Sequence, residues 1–257
     1  MAEIKRVNEA KIRNLVGSTG FDTALLTKDY YVTAILYLLK DVKGMYFKGG
    51  TALQKIFLEY SRLSEDVDYT CTRKISVLRR EIKDIILQSG LFDKVMKDKD
   101  VDGFLRLVVH YKDLAGKDDA VFIDLNERGK LCEKPETHKI HHFYLGDMPE
   151  FSVTTLSQDE MVAEKMAATM GRNKPRDHFD LYRMLEMGMK VNLDLVKKKC
   201  RQSGYEFSIL RMFNNAKKLK NRWDTDMMPL LSEEVPFEQV IRLLAKAFNL
   251  KEAKEKK

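Results

Sequence analysis

Two aspartates stand two residues apart in Ser64-Glu65-Asp66-Val67-Asp68, shortly after a double glycine in Phe47-Lys48-Gly49-Gly50-Thr51-Ala52-Leu53. Side chains alternate along a strand, so Asp66 and Asp68 would project to one face a few ångströms apart. Carboxylates that close repel each other unless a cation or a proton lies between them. In a site that handles phosphates the usual cation is divalent. Mg²⁺ (or Mn²⁺) takes one or two carboxylates and completes its shell with water and phosphate oxygens. The glycine segment reads as a strand end, a tight turn and a helix start, whose backbone N–H groups can cradle a triphosphate.

Nucleotidyl transfer needs two further groups. A third carboxylate on a neighbouring strand could serve a second metal or act as a base. Asp124, in Ala120-Val121-Phe122-Ile123-Asp124-Leu125-Asn126, is the candidate. An exposed strand edge would explain it as well. A positive side chain near the phosphates would stabilise developing charge, and Lys165 is the candidate, with a surface lysine as the alternative reading. A double glycine or an Asp-x-Asp alone is common. Together, with a helix between them, they are far more specific.

The elements that would position these residues can be read from periodicity. A helix is expected over Ala2–Leu15, and a second through Tyr30–Leu39, capped by Asp22 or Thr27 and broken by Gly44. Met45–Lys48 reads as a strand, with Thr51 as N-cap of a helix through Leu58. Asp66–Thr70 is a second strand and Ile75–Gly90 a helix. Phe104–Tyr111 and Ala120–Asn126 form a hairpin about the turn at Gly116. After Thr155 the pattern turns helical, with Ser157 or Asp159 as cap and Gly171 as stop. A loop, Arg172 to Pro175, leads into a further helix.

Bulk composition narrows the class. The 257 residues are 44% hydrophobic and 33% charged, as in a globular protein with room for one or two domains. No apolar run approaches the roughly 20 residues that span a bilayer, and Met1-Ala2-Glu3-Ile4-Lys5 has no signal-peptide character. Three scattered cysteines suggest neither a disulfide framework nor a zinc site. The expected location is the cytoplasm. Net charge is +7, and because the proposed site is acidic the excess must lie elsewhere. It gathers between Lys190 and Arg222, in Lys197, Lys198, Lys199, Arg201, Lys217, Lys218 and Lys220, with Tyr205, Phe207, Phe213 and Trp223 interleaved. RNA backbone is the partner such a stretch would suit. A solvated helical face with core aromatics is the alternative.

Four ordered motifs complete the reading: Lys-Gly-Gly-Thr-Ala-Leu, Ser-x-Asp-x-Asp, Glu-Lys-Met-Ala-Ala and Lys-Pro-Arg-Asp-x-x-Asp-Leu-Tyr. Over residues 44–185 this order resembles the AbiEii/AbiGii-type nucleotidyltransferase toxins of the DNA polymerase β-like superfamily. The resemblance implies an α+β fold, with a polymerase-β-like mixed sheet over residues 1–155. It also implies a helical domain over residues 156–257 that completes the active site. It implies transfer from an NTP, tRNA acceptor ends as one target class, and an antitoxin encoded nearby. Carried over, Lys48, Gly49, Gly50, Thr51 and Ser64 bind nucleotide, Asp66 and Asp68 bind metal, and Lys165 is the motif lysine. The last motif falls on Arg176, Asp177 and Asp180. Asp180 is the preferred essential acid, and Asp177 either shares that role or caps the helix. His178 is a candidate nucleotide or RNA contact. Ser64 is a turn hydroxyl or, if phosphorylated, a block to metal and triphosphate.

The leading expectation is thus a Mg²⁺-dependent nucleotidyltransferase toxin acting on RNA. The alternatives are a protein or small-molecule hydroxyl as acceptor, and a catalytically silent binding protein on the same scaffold.

Overall fold

Asn8 and Asp22 start the first two helices, α1 (Glu9–Thr19) and α2 (Thr23–Leu39), each accepting hydrogen bonds from the exposed backbone N–H groups of the first turn. Asp22, not Thr27, is the cap of α2. The computed structural model describes residues 4–172 and 174–255; Ala2 and Glu3 of the helix expected at Ala2–Leu15 lie outside that part, and the helix itself begins later, at Glu9, and runs on to Thr19. α2 is apolar around almost its whole circumference and is buried accordingly. Leu26, Ile35 and Leu36 are fully buried, each contributing roughly 1.5–3 kcal/mol. Tyr31 stacks on Tyr111 of the sheet at 3.7 Å between ring centroids.

The chain then runs through β1 (Met45–Lys48), α3 (Gly49–Ile56), β2 (Asp66–Cys71), α4 (Ile75–Gln88), β3 (Lys94–Val101), β4 (Phe104–Lys112), β5 (Asp118–Asn126), β6 (Glu136–Lys139) and β7 (Ser152–Thr155). The seven strands form one mixed sheet in the order β3-β4-β5-β2-β1-β7-β6. β2 runs antiparallel to β1 and parallel to β5. This puts β2, with its two aspartates, near the middle of the sheet, and makes β5 an interior strand. Asp124 is therefore not an edge residue.

One compact unit ends at Leu156 and a second begins at Ser157. The second is helical: α5 (Gln158–Gly171), α6 (Pro175–Glu186), α7 (Leu193–Gln202), α8 (Ile209–Phe213), α9 (Ala216–Met227), α10 (Phe237–Ala247) and α11 (Leu250–Glu255). Within it α6, α7 and α8 pack on α5, while α9 and α10 pack on α6. Ser157 caps α5 by accepting from the N–H of Glu160 at 3.1 Å.

Candidate active site

Gly49 ends β1 and opens α3 with φ of 84°, a conformation that disfavours any side chain. It has a second reason to be glycine, because a Cβ there would collide with the carboxylate of Asp68. A Cβ on Gly50 would lie 2.7 Å from Nη2 of Arg62 and 3.2 Å from Oγ of Ser64. The turn is thus pressed onto an acid at one glycine and onto a guanidinium and a hydroxyl at the next. Gly49→Ala is expected to destabilise the protein by at least about 1–3 kcal/mol, from backbone strain alone, and to displace Asp68. A urea unfolding midpoint equal to wild type would show that the turn tolerates the methyl group.

Thr51 does not cap α3, as its type suggested. The helix already begins at Gly49, and the Thr51 hydroxyl instead donates to the backbone carbonyl of Asp66, tying α3 to β2. Gln54, one turn further along, accepts from the N–H of Arg62 at 3.2 Å and from Ser61 Oγ at 3.0 Å. Those bonds hold the connection from α3 to β2 so that Arg62 and Ser64 lie under the turn. Arg62 is buried, with Nη1 donating to the Leu63 carbonyl at 2.8 Å.

Pairing register sets the face of the sheet. Lys48 lies opposite Asp68, Asp68 opposite Asp124, and Asp124 opposite Arg106. Residues directly opposite share a face, so a row of alternating strands presents Lys48, Asp68, Asp124 and Arg106 together. Asp66 joins them from two positions back, opposite Phe122. Asp124 is bound by Arg106 in a two-pronged ion pair, Nε to Oδ1 and Nη2 to Oδ2, both at 2.7 Å. The guanidinium lies over the Phe122 ring at 5.1 Å. Hydrogen bonding to Asp124 holds the Arg106 pKa above its ordinary value, against the smaller effect of burial.

Asp66 and Asp68 suit a hard divalent ion, because Mg²⁺ needs only one or two carboxylates beside water and phosphate oxygens. Among the described residues, no group of three or more His, Cys, Asp or Glu side chains is arranged to hold a metal. The expected triad of Asp66, Asp68 and Asp124 shares a face but is not assembled as three ligands.

The later motifs meet within the helical unit. Lys165 on α5 reaches Asp177 at 3.0 Å and Asp180 at 2.9 Å on α6. Arg172 clasps Asp177 with two bonds of 2.8 Å. Lys165 is 6% exposed and Asp180 fully buried. The snorkelling surface lysine is therefore excluded, and the Lys165 charge is used on two carboxylates of its own unit. Asp177 does not cap α6. Its carboxylate accepts from Lys165 and Arg172, and among the described residues no side chain caps that helix. Burial would push the Asp177 carboxyl up, but the charge of Lys165 and the hydrogen bonds of Arg172 outweigh it and hold it well below the usual range. A depressed carboxyl adds stability that is complete above its unfolded pKa, about 3.9, and is lost as pH falls through the folded value. Asp177→Asn should thus be less stable than wild type at pH 7, with the gap narrowing as pH drops below about 4. Paired thermal melts would check this, and a gap independent of pH would contradict it. Arg176 is half-buried at the start of α6. His178 is buried, with its ring nitrogens 3.2 Å from the Lys174 carbonyl and 3.0 Å from that of Met212, so it contacts backbone and is not an exposed nucleotide or RNA contact.

The basic stretch separates into exposed and buried parts. Lys197, Lys198 and Arg201 on α7 and Lys217, Lys218 and Lys220 on α9 are exposed. Lys197 pairs with Asp194 at 2.9 Å and Lys220 with Glu238 at 2.5 Å. Lys199 is a correction: it is 4% exposed and pairs with Glu160 and Glu164 of α5, so it belongs to the interior. Two of the aromatics are also structural. The Trp223 indole N–H donates to the Val235 carbonyl at 2.8 Å, and the Tyr205 hydroxyl to that of Ala167 at 2.5 Å. Sequence reasoning missed Arg62, Arg106, Gln54 and Arg172. Of these Arg106 had a signal, a lone charge in an apolar strand facing another across a predicted hairpin.

Several solved structures share this fold. The nucleotidyltransferase toxin MenT4 from Mycobacterium tuberculosis aligns over 91% of this chain and 87% of its own, with a TM-score of 0.65 and 18% identity. A putative nucleotidyltransferase from H. pylori aligns over 92% and 99%, with 0.60 and 22%. JHP933 from Helicobacter pylori aligns over 92% and 96%, with 0.57 and 19%. No curated protein matches in sequence. The family model of the nucleotidyl transferase AbiEii toxin, type IV toxin–antitoxin system, matches residues 34–243, and the chain belongs to that family. It is a nucleotidyltransferase toxin. No helix among the described residues is long and apolar enough to cross a membrane.

Proposed function

We propose that this toxin transfers a nucleotide from an NTP to the 3′ end of RNA, with the tRNA acceptor end as substrate, and thereby stops translation. The RNA 3′-hydroxyl gives its proton to water as its oxygen attacks the α-phosphorus in line; a new P–O bond forms, the P–O bond between the α- and β-phosphates breaks, and pyrophosphate leaves. The observation that carries the reading is the contact between the glycine turn and Asp68, which puts an anion cradle against a paired carboxylate. Gly49, Gly50 and Thr51 bind the triphosphate through backbone N–H groups, with Lys48, Arg62 and Ser64 beside them. Asp66 and Asp68 would hold Mg²⁺, which when bound neutralises phosphate charge and acts as a Lewis acid. Lys165, Asp177 and Asp180 fix α5 against α6 through buried charge. The protein acts in the cytoplasm under the control of an antitoxin encoded nearby.

The exposed lysines and arginine of α7 and α9 would contact the RNA backbone. Lys197→Glu with Lys198→Glu should weaken tRNA binding and lower the slope of log affinity against log salt by roughly 2. An unchanged slope in filter-binding titrations would remove α7 from the footprint. The acceptor is tested with purified tRNA, either intact or oxidised by periodate so that the terminal diol is destroyed. Label from an α-phosphate-labelled NTP should enter intact tRNA only. Equal labelling of both, or none of either, would refute the 3′-hydroxyl as nucleophile.

A further inference from the structure

We propose that the partly exposed face of β3, β4 and β5 is a platform for the unpaired 3′ end of the acceptor RNA. Phe104 and the Arg106 guanidinium would stack its bases, and Lys99 would meet its phosphates. This rests on the reading that the acceptor is an RNA 3′ end. The row of residues that contains the aspartates does not stop at Arg106. Lys99 of β3 lies opposite Arg106, so the row continues as Lys48, Asp68, Asp124, Arg106 and Lys99. Phe104, two residues before Arg106, and Phe122, two before Asp124, share that face. The opposite face of the same strands is closed, with Leu105, Leu107, Val121, Ile123 and Leu125 all buried. Phe104, Arg106, Phe122 and Asp124 are only half-buried, and Lys99 is exposed.

Two cations stand beside these two rings. The Arg106 guanidinium is 5.1 Å from the Phe122 ring centre, and the Lys99 ammonium 5.7 Å from that of Phe104. Asp124 fixes the guanidinium through Nε and Nη2, which leaves Nη1 outside that fork on a side chain 34% exposed. Rings and guanidinium planes part-open to water, next to cations, suit single-stranded nucleic acid, since every base has a face that stacks. Asp66 and Asp98 act on Arg106 as well as Asp124, so the face is not simply basic. That favours a base-stacked end over a duplex held by charge alone. In-line transfer decides which substrate lies here, because the attacking and leaving oxygens take opposite sides of the α-phosphorus. The glycine turn that would take the triphosphate stands on the β1 side of Asp68. β5, β4 and β3 extend from β2 in the other direction, so the acceptor hydroxyl arrives from their side. Strands lie about 4.8 Å apart, which puts Arg106 roughly 10 Å and Lys99 roughly 14 Å from Asp68, where the nucleotides before the terminal one would run.

The test compares purified tRNA with the same tRNA lacking its unpaired 3′ nucleotides, each titrated in filter binding at fixed salt. Phe104→Leu should weaken binding of the intact tRNA by on the order of tenfold, the loss of one base–ring stack, and leave the trimmed tRNA unaffected. Lys99→Gln, at an exposed position, should show a smaller loss of the same pattern. In steady-state transfer both variants should raise KM for tRNA and leave KM for the NTP unchanged. Equal loss on both RNAs, or no loss on either, would overturn the proposal. So would a raised NTP KM with tRNA binding intact, which would give this face to the base of the NTP. Wild-type protein decides the matter if Phe104→Leu does not fold: tRNA ending in 8-azidoadenosine should cross-link within residues 94–126, and a cross-link only elsewhere would overturn the assignment. Wild type that transfers no label to tRNA overturns the RNA reading and this inference together. Wild type that labels tRNA while its variants fail to distinguish intact from trimmed tRNA overturns this inference alone.

Discussion

Asp68→Asn is expected to lower the rate of nucleotidyl transfer by about 10³-fold, the scale on which removing one preorganised electrostatic group acts. Asparagine keeps the shape that packs against Gly49 and removes the charge that would face the ion. Folding should be nearly untouched. Asn is close to Asp in size and shape, and Asp68 lies on a half-buried position of β2, so the substitution opens no cavity. A melting temperature close to that of wild type, with transfer lost, is the expected pair of results. A variant that retains transfer within tenfold of wild type would show that Asp68 does not hold the ion.

The second large effect lies away from the chemistry. Lys55 on α3 is 1% exposed, and its ammonium donates to Asp29 at 2.6 Å, Thr33 at 2.8 Å and Tyr60 at 2.8 Å. Tyr144 donates to the second Asp29 oxygen at 3.1 Å, and the Tyr60 hydroxyl also reaches the His141 carbonyl at 2.9 Å. Burial pushes the Lys55 pKa down, while the Asp29 carboxylate resists that shift. This network ties α3 to α2. Lys55→Met would leave the Asp29 carboxylate buried without its cation, which costs about 3–5 kcal/mol, a large share of the roughly 5–15 kcal/mol that keeps a domain folded. Asp29→Leu combined with Lys55→Met should recover much of the loss, because the penalty comes from an unpaired buried charge. Urea unfolding measures both. A loss below about 1 kcal/mol in Lys55→Met would mean that water reaches and solvates Asp29.

The parts of the site legible in the sequence were those fixed by local geometry. The glycine pair and the alternation in β2 are short-range signals, and they led to the turn and to two aspartates on one face. Asp22 as a cap and the hairpin of β4 and β5 were legible for the same reason. Numbering the hairpin about its turn pairs residue 106 with residue 124, so the partner of Asp124 could have been found. β3 escaped because it is an edge strand, exposed along nearly its whole length, and carries Lys and Asp where a buried strand would alternate. β6 and β7, four residues each, are too short to show a period. Lys199 reads as part of a basic surface because its neighbours are lysines. Its position gave it away, since Leu195, Val196, Lys199 and Cys200 form one buried helical face. The pairing of Lys165 with Asp177 and Asp180 depends on how α5 packs against α6, and no local pattern encodes that.

The most direct test of nucleotidyl transfer at the glycine–aspartate site uses wild-type protein and the Asp66→Asn/Asp68→Asn variant. Each is incubated with Mg²⁺, each of the four NTPs labelled at the α-phosphate, and a cell extract containing both RNA and protein, and the products are resolved on denaturing gels. Wild type should label an RNA band of tRNA size, chelator should abolish it, and the variant should give none. Label on protein in place of RNA, or equal labelling by the variant, would contradict the assignment.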